Sequence, residues 1–234
     1  MEECISVFDM LKIGVGPSSS HTLGPWRAAE RFLEELRQDF DLNSITRVKV
    51  DLYGSLSLTG KGHATDLAVM LGLSGQDPEY IPVQDIDGII KAIENNHLIQ
   101  LGNEKALPFY ILQDIVFHKE FLPFHANGLT FTAFFENETE YASTFYSIGG
   151  GFVVKEERSN AKKKIAIKCA FPFPINNAAE LLDYTQKENK SISEIVYANE
   201  ISMRPEAEVH SELLRIWHTM LECMYIGCHS EGIL

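Results

Sequence analysis

Cysteine is scarce in this sequence, and its spacing excludes several kinds of site. Only four cysteines occur among 234 residues, at Cys4, Cys169, Cys223 and Cys228. None of them forms a C-x-x-C pair, and no histidine pair has the spacing of a zinc motif. We therefore expect free thiols in a reducing compartment and no metal site built from this chain's own residues.

Positive charge and long apolar runs are also lacking. Lysine and arginine number 20 against 33 aspartates and glutamates, and the formal net charge of -13 argues against nucleic acid or an anionic membrane as a partner. No apolar run approaches the ~20 residues that span a bilayer, and Met1-Glu2-Glu3 has no basic signal-peptide start. We therefore expect a cytoplasmic globular protein of one large or two small domains.

The stretch Lys12–Leu36 predicts a loop that leads into an amphipathic helix. Pro25 suits the first turn of that helix, where a missing N–H group costs nothing. Ser20 or Thr22 is a candidate N-cap. One buried face is expected where apolar residues repeat at helical spacing, at Ala29, Phe32, Leu33 and Leu36.

The loop itself, Gly16–Gly24, combines three serines with His21 between glycines. Small hydroxyls, an imidazole and unpaired N–H groups at a positive helix end are a receptor for a carboxylate or a phosphate. The alternative is a serine-rich cap that only starts a helix.

Apolar periodicity predicts the remaining elements. A strand is expected at Arg47–Leu58 because Val48, Val50 and Leu52 alternate with polar residues. Helices are expected after the break at Thr59–His63, with Leu67, Met70, Leu71 and Ala64 inward, and at Asp85–Asn96. Further strands are expected at Leu98–Leu101, Phe109–Phe117, Phe152–Val154 and in a hairpin of Leu129–Phe135 with Tyr141–Ser147.

This order of elements predicts an α+β domain over residues 1–155, with a mixed sheet and helices on one face. Residues 156–164 are polar and charged and are the expected linker. Residues 165–234 are expected to be mostly helical, after a possible strand at Ile165–Cys169. Helices are predicted at Asn177–Lys187, Ser191–Met203 and Pro205–Ile226, the last with an apolar stripe suited to an interdomain or dimer contact.

Three further loops share the composition of Gly16–Gly24: Gly60–Thr65, His125–Gly128 and Ser147–Gly151. Their glycines allow positive φ and close backbone approach, so their N–H groups can surround an anion. Neither a Walker loop nor a G-x-S-x-G motif is present, which argues against an NTPase or a serine hydrolase. The loop histidines are candidate proton shuttles, or simply side chains satisfied by backbone groups.

Four motifs in order resemble the β domain of bacterial iron–sulfur L-serine dehydratases. They are ISVFDMLKIGVGPSSSHTLGP at Ile5–Pro25, YGSLSLTGKGHATD at Tyr53–Asp66, LPFHANG at Leu122–Gly128 and YSIGGGF at Tyr146–Phe152. The resemblance continues through FPFPINNAAELL at Phe171–Leu182. It implies a fold similar to the allosteric substrate-binding domain of D-3-phosphoglycerate dehydrogenase, with a helical segment after it.

The resemblance also implies a reaction in amino-acid catabolism and gluconeogenesis. L-serine loses water and then ammonia to give pyruvate, with a [4Fe-4S] cluster as Lewis acid and without pyridoxal phosphate. The cluster ligands are expected in a catalytic α domain or subunit outside this sequence, and the full enzyme is expected to be a homodimer. This chain alone is then expected to be inactive, and the alternative is a non-catalytic module that binds L-serine or another small carboxylate.

Site residues follow from the same resemblance, position by position. His63, His125 and Ser147 match the motif positions for acid/base work or substrate contact. We expect them to be the catalytic residues of this chain, although the resemblance does not say which is the base. The expected substrate-binding residues are Ser18, Ser19, Ser20, His21, Thr65, Asn127 and Gly149.

Overall fold

The structure is a computed structural model that describes residues 5–156 and 171–232. The chain divides into two compact units, Gly14–Ala161 and a second one made of Met1–Ile13 with Lys162–Leu234. Several features expected from the sequence fall outside the described residues: Cys4, Cys169, the linker beyond residue 156 and the strand at Ile165–Cys169. The domain boundaries predicted from composition stay predictions.

The first unit is built on a five-stranded mixed sheet, which confirms the predicted α+β class. Strand order is β4-β1-β5-β6-β7, with β1 and β4 parallel and the other neighbours antiparallel. The strands are β1 (Ile45–Leu52), β4 (Ile115–Phe117), β5 (Gly128–Phe135), β6 (Glu140–Gly149) and β7 (Phe152–Lys155), and a separate hairpin pairs β2 (Leu98–Leu101) with β3 (Lys105–Pro108).

Five helices lie in the described part of this unit, and the longest of them, α2 (Gly24–Asp39), covers the buried face of the sheet. Residues of α2 reach the core as predicted: Phe32 stacks on Phe131 of β5, with ring centroids 5.1 Å apart. The polar side of α2 faces away, so its amphipathic pattern sets its orientation. The helices are α2 (Gly24–Asp39), α3 (Gly54–Leu58), α4 (Thr65–Leu73), α5 (Val83–Asn96) and α6 (Ile111–Asp114), with short 3-10 turns at Leu42–Ser44 and Gly60–His63.

Sequence periodicity located several elements correctly. The hairpin around Glu136-Asn137-Glu138 is confirmed, since Leu129 pairs with Phe145 across β5 and β6. The helix expected at Asp85–Asn96 is confirmed and begins two residues earlier, at Val83. The predicted inner face of α2, from Ala29 to Leu36, is fully buried.

Two strand predictions were wrong at their ends. Strand β1 stops at Leu52, and Gly54–Leu58 is helical, because Gly54 adopts φ +54° and turns the chain. The segment Phe109–Phe117 contains a helical turn, α6, before a three-residue strand. Asp114 explains that turn, since its carboxylate accepts from the N–H of Tyr110 at 2.7 Å and from Arg47 Nε at 2.6 Å.

The second unit contains four helices among its described residues: α1 (Val7–Met10), α7 (Ala178–Glu188), α8 (Ile192–Met203) and α9 (Glu206–His229). Ser191 caps α8 in a capping box with Glu194, at the start of the helix predicted for Ser191–Met203. Glu200 of α8 is buried and accepts from Ser6 Oγ at 2.8 Å, from the N–H of Val7 at 2.7 Å and from Arg204 Nη1 at 3.1 Å. This carboxylate holds the start of α1 to α8.

Helix α9 leaves most of its apolar stripe exposed. Only Val209 and Ile216 are buried along its 24 residues, and Trp217 is 50% exposed. None of the helices in residues 5–156 and 171–232 is long and apolar enough to cross a membrane.

Candidate functional site

The serine loop, Gly16–Gly24, contains a π-helical turn, Ser19–Leu23, that continues directly into α2. Ser18 caps this turn by accepting a hydrogen bond from the N–H of His21 at 3.2 Å. The predicted caps, Ser20 and Thr22, were therefore wrong, because the helical hydrogen bonds begin one turn before Pro25. Among the described residues, no backbone partner is found for the N–H groups of Ser19 and Ser20. These are the orphan donors expected at a helix start.

His21 is held at both ring nitrogens by serine hydroxyls. Its Nδ1 lies 2.9 Å from Ser20 Oγ, and its Nε2 lies 2.9 Å from Ser55 Oγ. Burial lowers the pKa of His21, and the nearby His63 ring lowers it further, although the hydrogen bond with Ser55 acts in the opposite direction. His21 is therefore a neutral imidazole at pH 7.

His63 lies next to His21, with ring centroids 5.0 Å apart. Its Nδ1 lies 3.0 Å from the carbonyl oxygen of Thr59. A carbonyl only accepts, so Nδ1 is the donor in this hydrogen bond, and Nε2 is the ring nitrogen that it leaves unused. The 3-10 turn Gly60–His63 that carries this ring ends at Ala64, whose φ of +54° starts α4.

Two threonines tie the serine loop to the loop of His63. Thr22 Oγ1 donates to the carbonyl of His63 at 2.8 Å, and Thr65 Oγ1 donates to the carbonyl of His21 at 2.6 Å. Both threonines are buried. The hydroxyl of Thr65 thus helps to set the spacing of the two histidines, and the substrate-binding role expected for Thr65 stays a prediction.

The loop of His125 is held against the turn that follows β1. The N–H of Ser55 donates to the carbonyl of Ala126 at 2.9 Å, and the N–H of Tyr53 donates to that of Gly128. His125 Nδ1 accepts from the N–H of Asn127 at 3.1 Å. Its Nδ1 is therefore unprotonated, and the neutral ring carries its proton on Nε2.

Asn127 and Ser147 join the same assembly through backbone groups. Asn127 Nδ2 donates to the carbonyl of Ser147 at 3.0 Å, and the N–H of Ser147 donates back to the carbonyl of Asn127 at 3.0 Å. This reciprocal pair extends the β5–β6 ladder into the loop of His125. The amide of Asn127 is buried and acts here as a structural donor.

Ser147 itself is fully buried, and its Oγ has no hydrogen-bond partner among the described residues. It lies against Gly24 so closely that a Cβ on residue 24 would be 1.9 Å from Ser147 Oγ. Gly149 follows with φ +103°, a conformation that favours glycine. Ser147 therefore contacts the serine loop at Gly24. The roles expected for Ser147 and Gly149 stay predictions.

An open cavity of about 480 Å³ lies beside His63. Its walls combine hydroxyl groups with apolar side chains, a composition suited to a small amphipathic molecule. The lining residues are Ser57, Leu58, Thr59, Gly62, His63 and Phe117.

The described residues do not fit a resident metal or iron–sulfur cluster. Within residues 5–156 and 171–232, no group of three or more His, Cys, Asp or Glu side chains is placed to hold a metal ion. Cys223 and Cys228 are exposed on α9 and form no such group. The prediction that cluster ligands lie outside this chain stays a prediction.

Sequence reasoning missed two residues of this assembly, Ser55 and Thr59. Both lie in the segment that was assigned to the end of a strand and the break after it, where their side chains had no expected role. The available signal was Gly54-Ser55, a glycine directly before a small hydroxyl residue, which is typical of a turn.

The known proteins that this chain resembles in sequence are L-serine dehydratases. The profile of the family described as serine dehydratase beta chain matches residues 6–158. The L-serine dehydratase of Haemophilus influenzae is 40% identical over 232 residues, which are 98% of this chain and 50% of that protein. L-serine dehydratase 1 of Escherichia coli is 40% identical over 231 residues, and the L-serine dehydratase of Streptomyces coelicolor is 41% identical over 232.

The chain spans about half the length of the curated relatives it matches, at 50% or 51% of each of the three. The matched profile covers every loop of the site described above, from Ser18 to Gly149. On these grounds the chain belongs to the serine dehydratase beta chain family.

Proposed function

We propose that this chain supplies the β-domain side of an active site that converts L-serine to pyruvate and ammonia. The observation that carries the proposal is the placement of His21, His63 and the loop of His125 in one hydrogen-bonded assembly. In the overall reaction the Cα proton and the β-hydroxyl leave as water, and the resulting aminoacrylate then takes up water and releases ammonia. The names of the relatives support the same substrate.

The hydrogen bonds of Nδ1 divide the acid and base roles between two histidines. Nδ1 of His63 is engaged by the Thr59 carbonyl, which leaves Nε2 to accept the Cα proton, and His63 lines the cavity. His125 presents a protonated Nε2, so it is the hydrogen-bond donor toward the substrate. Environments that set two similar groups to opposite tasks are typical of acid–base sites.

The serine loop supplies the binding group for the substrate carboxylate. The N–H groups of Ser19 and Ser20 and the hydroxyl of Ser18 lie at the start of the turn that continues into α2, where negative charge is favoured. His21 is neutral, so it contributes a hydrogen-bonded wall and not a positive charge. Asn127, Thr65 and Gly149 hold the loops that border this surface.

The chemistry of dehydration also needs a group that activates the hydroxyl. A [4Fe-4S] cluster would supply Lewis-acid activation, and its ligands would come from residues other than those in the described part of this chain. The proposal therefore includes a catalytic α domain or subunit as partner. It also includes a homodimeric, cytoplasmic enzyme that works without pyridoxal phosphate.

The test is pyruvate formation from L-serine by the enzyme that contains this chain, purified without oxygen. We expect His63→Asn to lower kcat by about 10²–10⁴-fold, which is the usual contribution of a general base. His125→Asn should lower kcat less and raise KM. His97→Asn is the matched control, because His97 lies outside the site at φ +52°, a conformation that asparagine tolerates.

An unchanged kcat in His63→Asn would rule out this residue as the base. Anaerobic reconstitution of the 234-residue chain with iron and sulfide tests the placement of the cluster. The appearance of a cluster absorption band together with pyruvate formation in the isolated chain would contradict ligands outside it.

A second candidate function is a module that binds L-serine without chemistry. The serine loop favours it, because its donors form a binding surface within this chain. Calorimetric titration of the chain with L-serine should then give heat and a thermal shift. If the assembled enzyme is active but the chain alone gives no heat and no thermal shift with L-serine, this second function is excluded.

A further inference from the structure

Ser55 is hydrogen-bonded to three separate segments of the site. Its N–H donates to Ala126, and its carbonyl accepts from both the N–H and the Oγ1 of Thr59, at 3.1 and 2.9 Å. Its hydroxyl lies 2.9 Å from His21 Nε2. Since Thr59 in turn accepts from His63 Nδ1, one residue joins the three loops that carry histidines.

The backbone before Ser55 fixes its position. Gly54 has φ +54°, and a Cβ on residue 54 would lie 2.4 Å from the carbonyl oxygen of Ala126. The N–H of Gly54 donates to Glu120 at 2.8 Å, and the next residue, Leu56, is fully buried. The direction of the Ser55 side chain is therefore set by close packing before any substrate is present.

The two hydroxyls on His21 differ in what they connect. Ser20 is the neighbour of His21 in sequence, so its bond to Nδ1 leaves the ring attached only to its own loop. Ser55 is 34 positions away and belongs to the turn after β1. Of these two hydrogen bonds, the one to Nε2 ties the ring to another part of the site. The hydroxyl of Ser55 can form it with either tautomer of the ring, because a hydroxyl both donates and accepts.

We propose that Ser55 is a positioning residue whose hydroxyl holds the His21 ring against the His63 ring. This assignment rests on the proposed function, in which His63 is the base. Without the hydroxyl, His21 loses its link to the turn after β1, and of these two hydrogen bonds the ring keeps the one to Ser20 of its own loop. The orientation of His63 Nε2 then becomes less favourable for proton abstraction, although no group that touches the substrate has been removed.

The experiment uses three variants of the enzyme that contains this chain. Ser55→Ala removes the hydroxyl and keeps both backbone hydrogen bonds, whereas Ser55→Thr keeps the hydroxyl and adds one methyl group to a half-buried side chain. Ser44→Ala is the matched control, because it removes a serine hydroxyl that donates to Asp41 at the other end of β1. The readouts are kcat, KM and the ring ¹⁵N resonances of the histidines.

We expect Ser55→Ala to lower kcat about tenfold, the size of one lost hydrogen bond, and to leave KM within about twofold. The ¹⁵N resonance of His21 Nε2 should move in Ser55→Ala. Ser55→Thr should restore most of kcat and the wild-type resonance. Ser44→Ala should match the wild type in every readout, because it alters only the start of β1.

Three results would overturn the assignment. The first is an unchanged kcat together with unchanged His21 resonances in Ser55→Ala. The second is an equal loss in Ser55→Ala and Ser55→Thr, which would point to packing and not to the hydroxyl. The third is an equal loss in Ser44→Ala, which would point to general destabilisation. If the wild-type enzyme forms no pyruvate, the proposed function fails, and the His21 resonances still decide whether Ser55 holds the ring.

Discussion

The two compact units use similar amphipathic helices in opposite ways. In the unit Gly14–Ala161, α2 buries Phe32, Leu33 and Leu36 completely or nearly so against the sheet. In the other unit, α9 is longer by half, yet only two of its residues are buried. A helical apolar stripe therefore indicates where a contact is possible, and the presence of a partner surface decides whether burial follows.

The two units also differ in where they bury polar groups and in what those groups hold together. The first unit places buried hydroxyls in loops that converge on two histidines, as with Thr22 and Thr65. The second unit places its buried carboxylate, Glu200, where it fixes α1 to α8. Polar burial builds the candidate site in one unit and holds helices together in the other.

The largest expected effect compares one apolar truncation in each unit. Phe32→Ala should lower the free energy of unfolding by about 3–5 kcal/mol, because it leaves a cavity between α2 and β5. Leu214→Ala on α9, at a residue already 43% exposed, should change it by less than about 1 kcal/mol.

Urea unfolding followed by far-ultraviolet circular dichroism measures both changes. The fluorescence of the buried Trp26 in a Trp217→Phe background identifies the transition of the first unit. Similar losses in the two variants would mean that the stripe on α9 is covered in solution.

Glu200 tests the polar contact of the second unit. Glu200→Ala should destabilise this unit by about 2–3 kcal/mol, because the carboxylate accepts three hydrogen bonds, one of them from Arg204. Hydrogen-exchange mass spectrometry of the α8 peptide measures the change. Glu188→Ala, at an exposed position, is the control. Unchanged exchange in Glu200→Ala would show that α1 is held by other contacts.

Glycine to alanine changes should have opposite signs in the two units. Gly24→Ala should cost about 2 kcal/mol, since the new Cβ overlaps Ser147 Oγ. Gly227→Ala should stabilise α9 by about 0.5–1 kcal/mol, because no heavy atom of the described residues lies within 4 Å of that Cβ and alanine favours a helix.

The double variant Gly24→Ala with Ser147→Ala should recover part of the loss, because the nearest clashing atom is gone. Thermal denaturation of the single and double variants provides the cycle. Additive effects would show that the two residues do not meet.

The smallest expected effect concerns pH. Since the pKa of His21 is lowered in the folded chain, the unfolded chain binds more protons below about pH 6.5. The folded chain should therefore keep its full free energy of unfolding above that pH and lose part of it as the solution is acidified. His21→Asn should flatten this slope in unfolding experiments between pH 7.5 and 5.5. His210→Asn, on the exposed side of α9, should keep the wild-type slope.

Much of the fold was accessible to sequence reasoning because it depends on local periodicity. Short-range patterns identify the helices α2, α5 and α8 and the β5–β6 hairpin, because each pattern is complete within a few residues. The end of β1 was not accessible. Alternation continues past Leu52, and the turn at Gly54 is imposed by the carbonyl of Ala126, 72 positions later.

The candidate site shows the same division. The four loops and their histidines were identified from composition and resemblance. Their connections through Ser55, Thr22 and Thr65 were not, because a hydroxyl that donates to a distant carbonyl has no local signature. Ser147 was expected to be catalytic, and that role stays a prediction; the burial of its hydroxyl against Gly24 had no signal in the sequence.

The sequence by itself determined the long helices, the hairpin, and the loops that carry small polar groups and histidines. Those properties follow from side-chain spacing and from the backbone freedom of each residue. Tertiary structure alone decided that Ser55 meets His21, that Nδ1 is a donor in His63 and an acceptor in His125, and that the stripe on α9 stays exposed. These outcomes depend on which distant groups pack together, and spacing along the chain does not encode that choice.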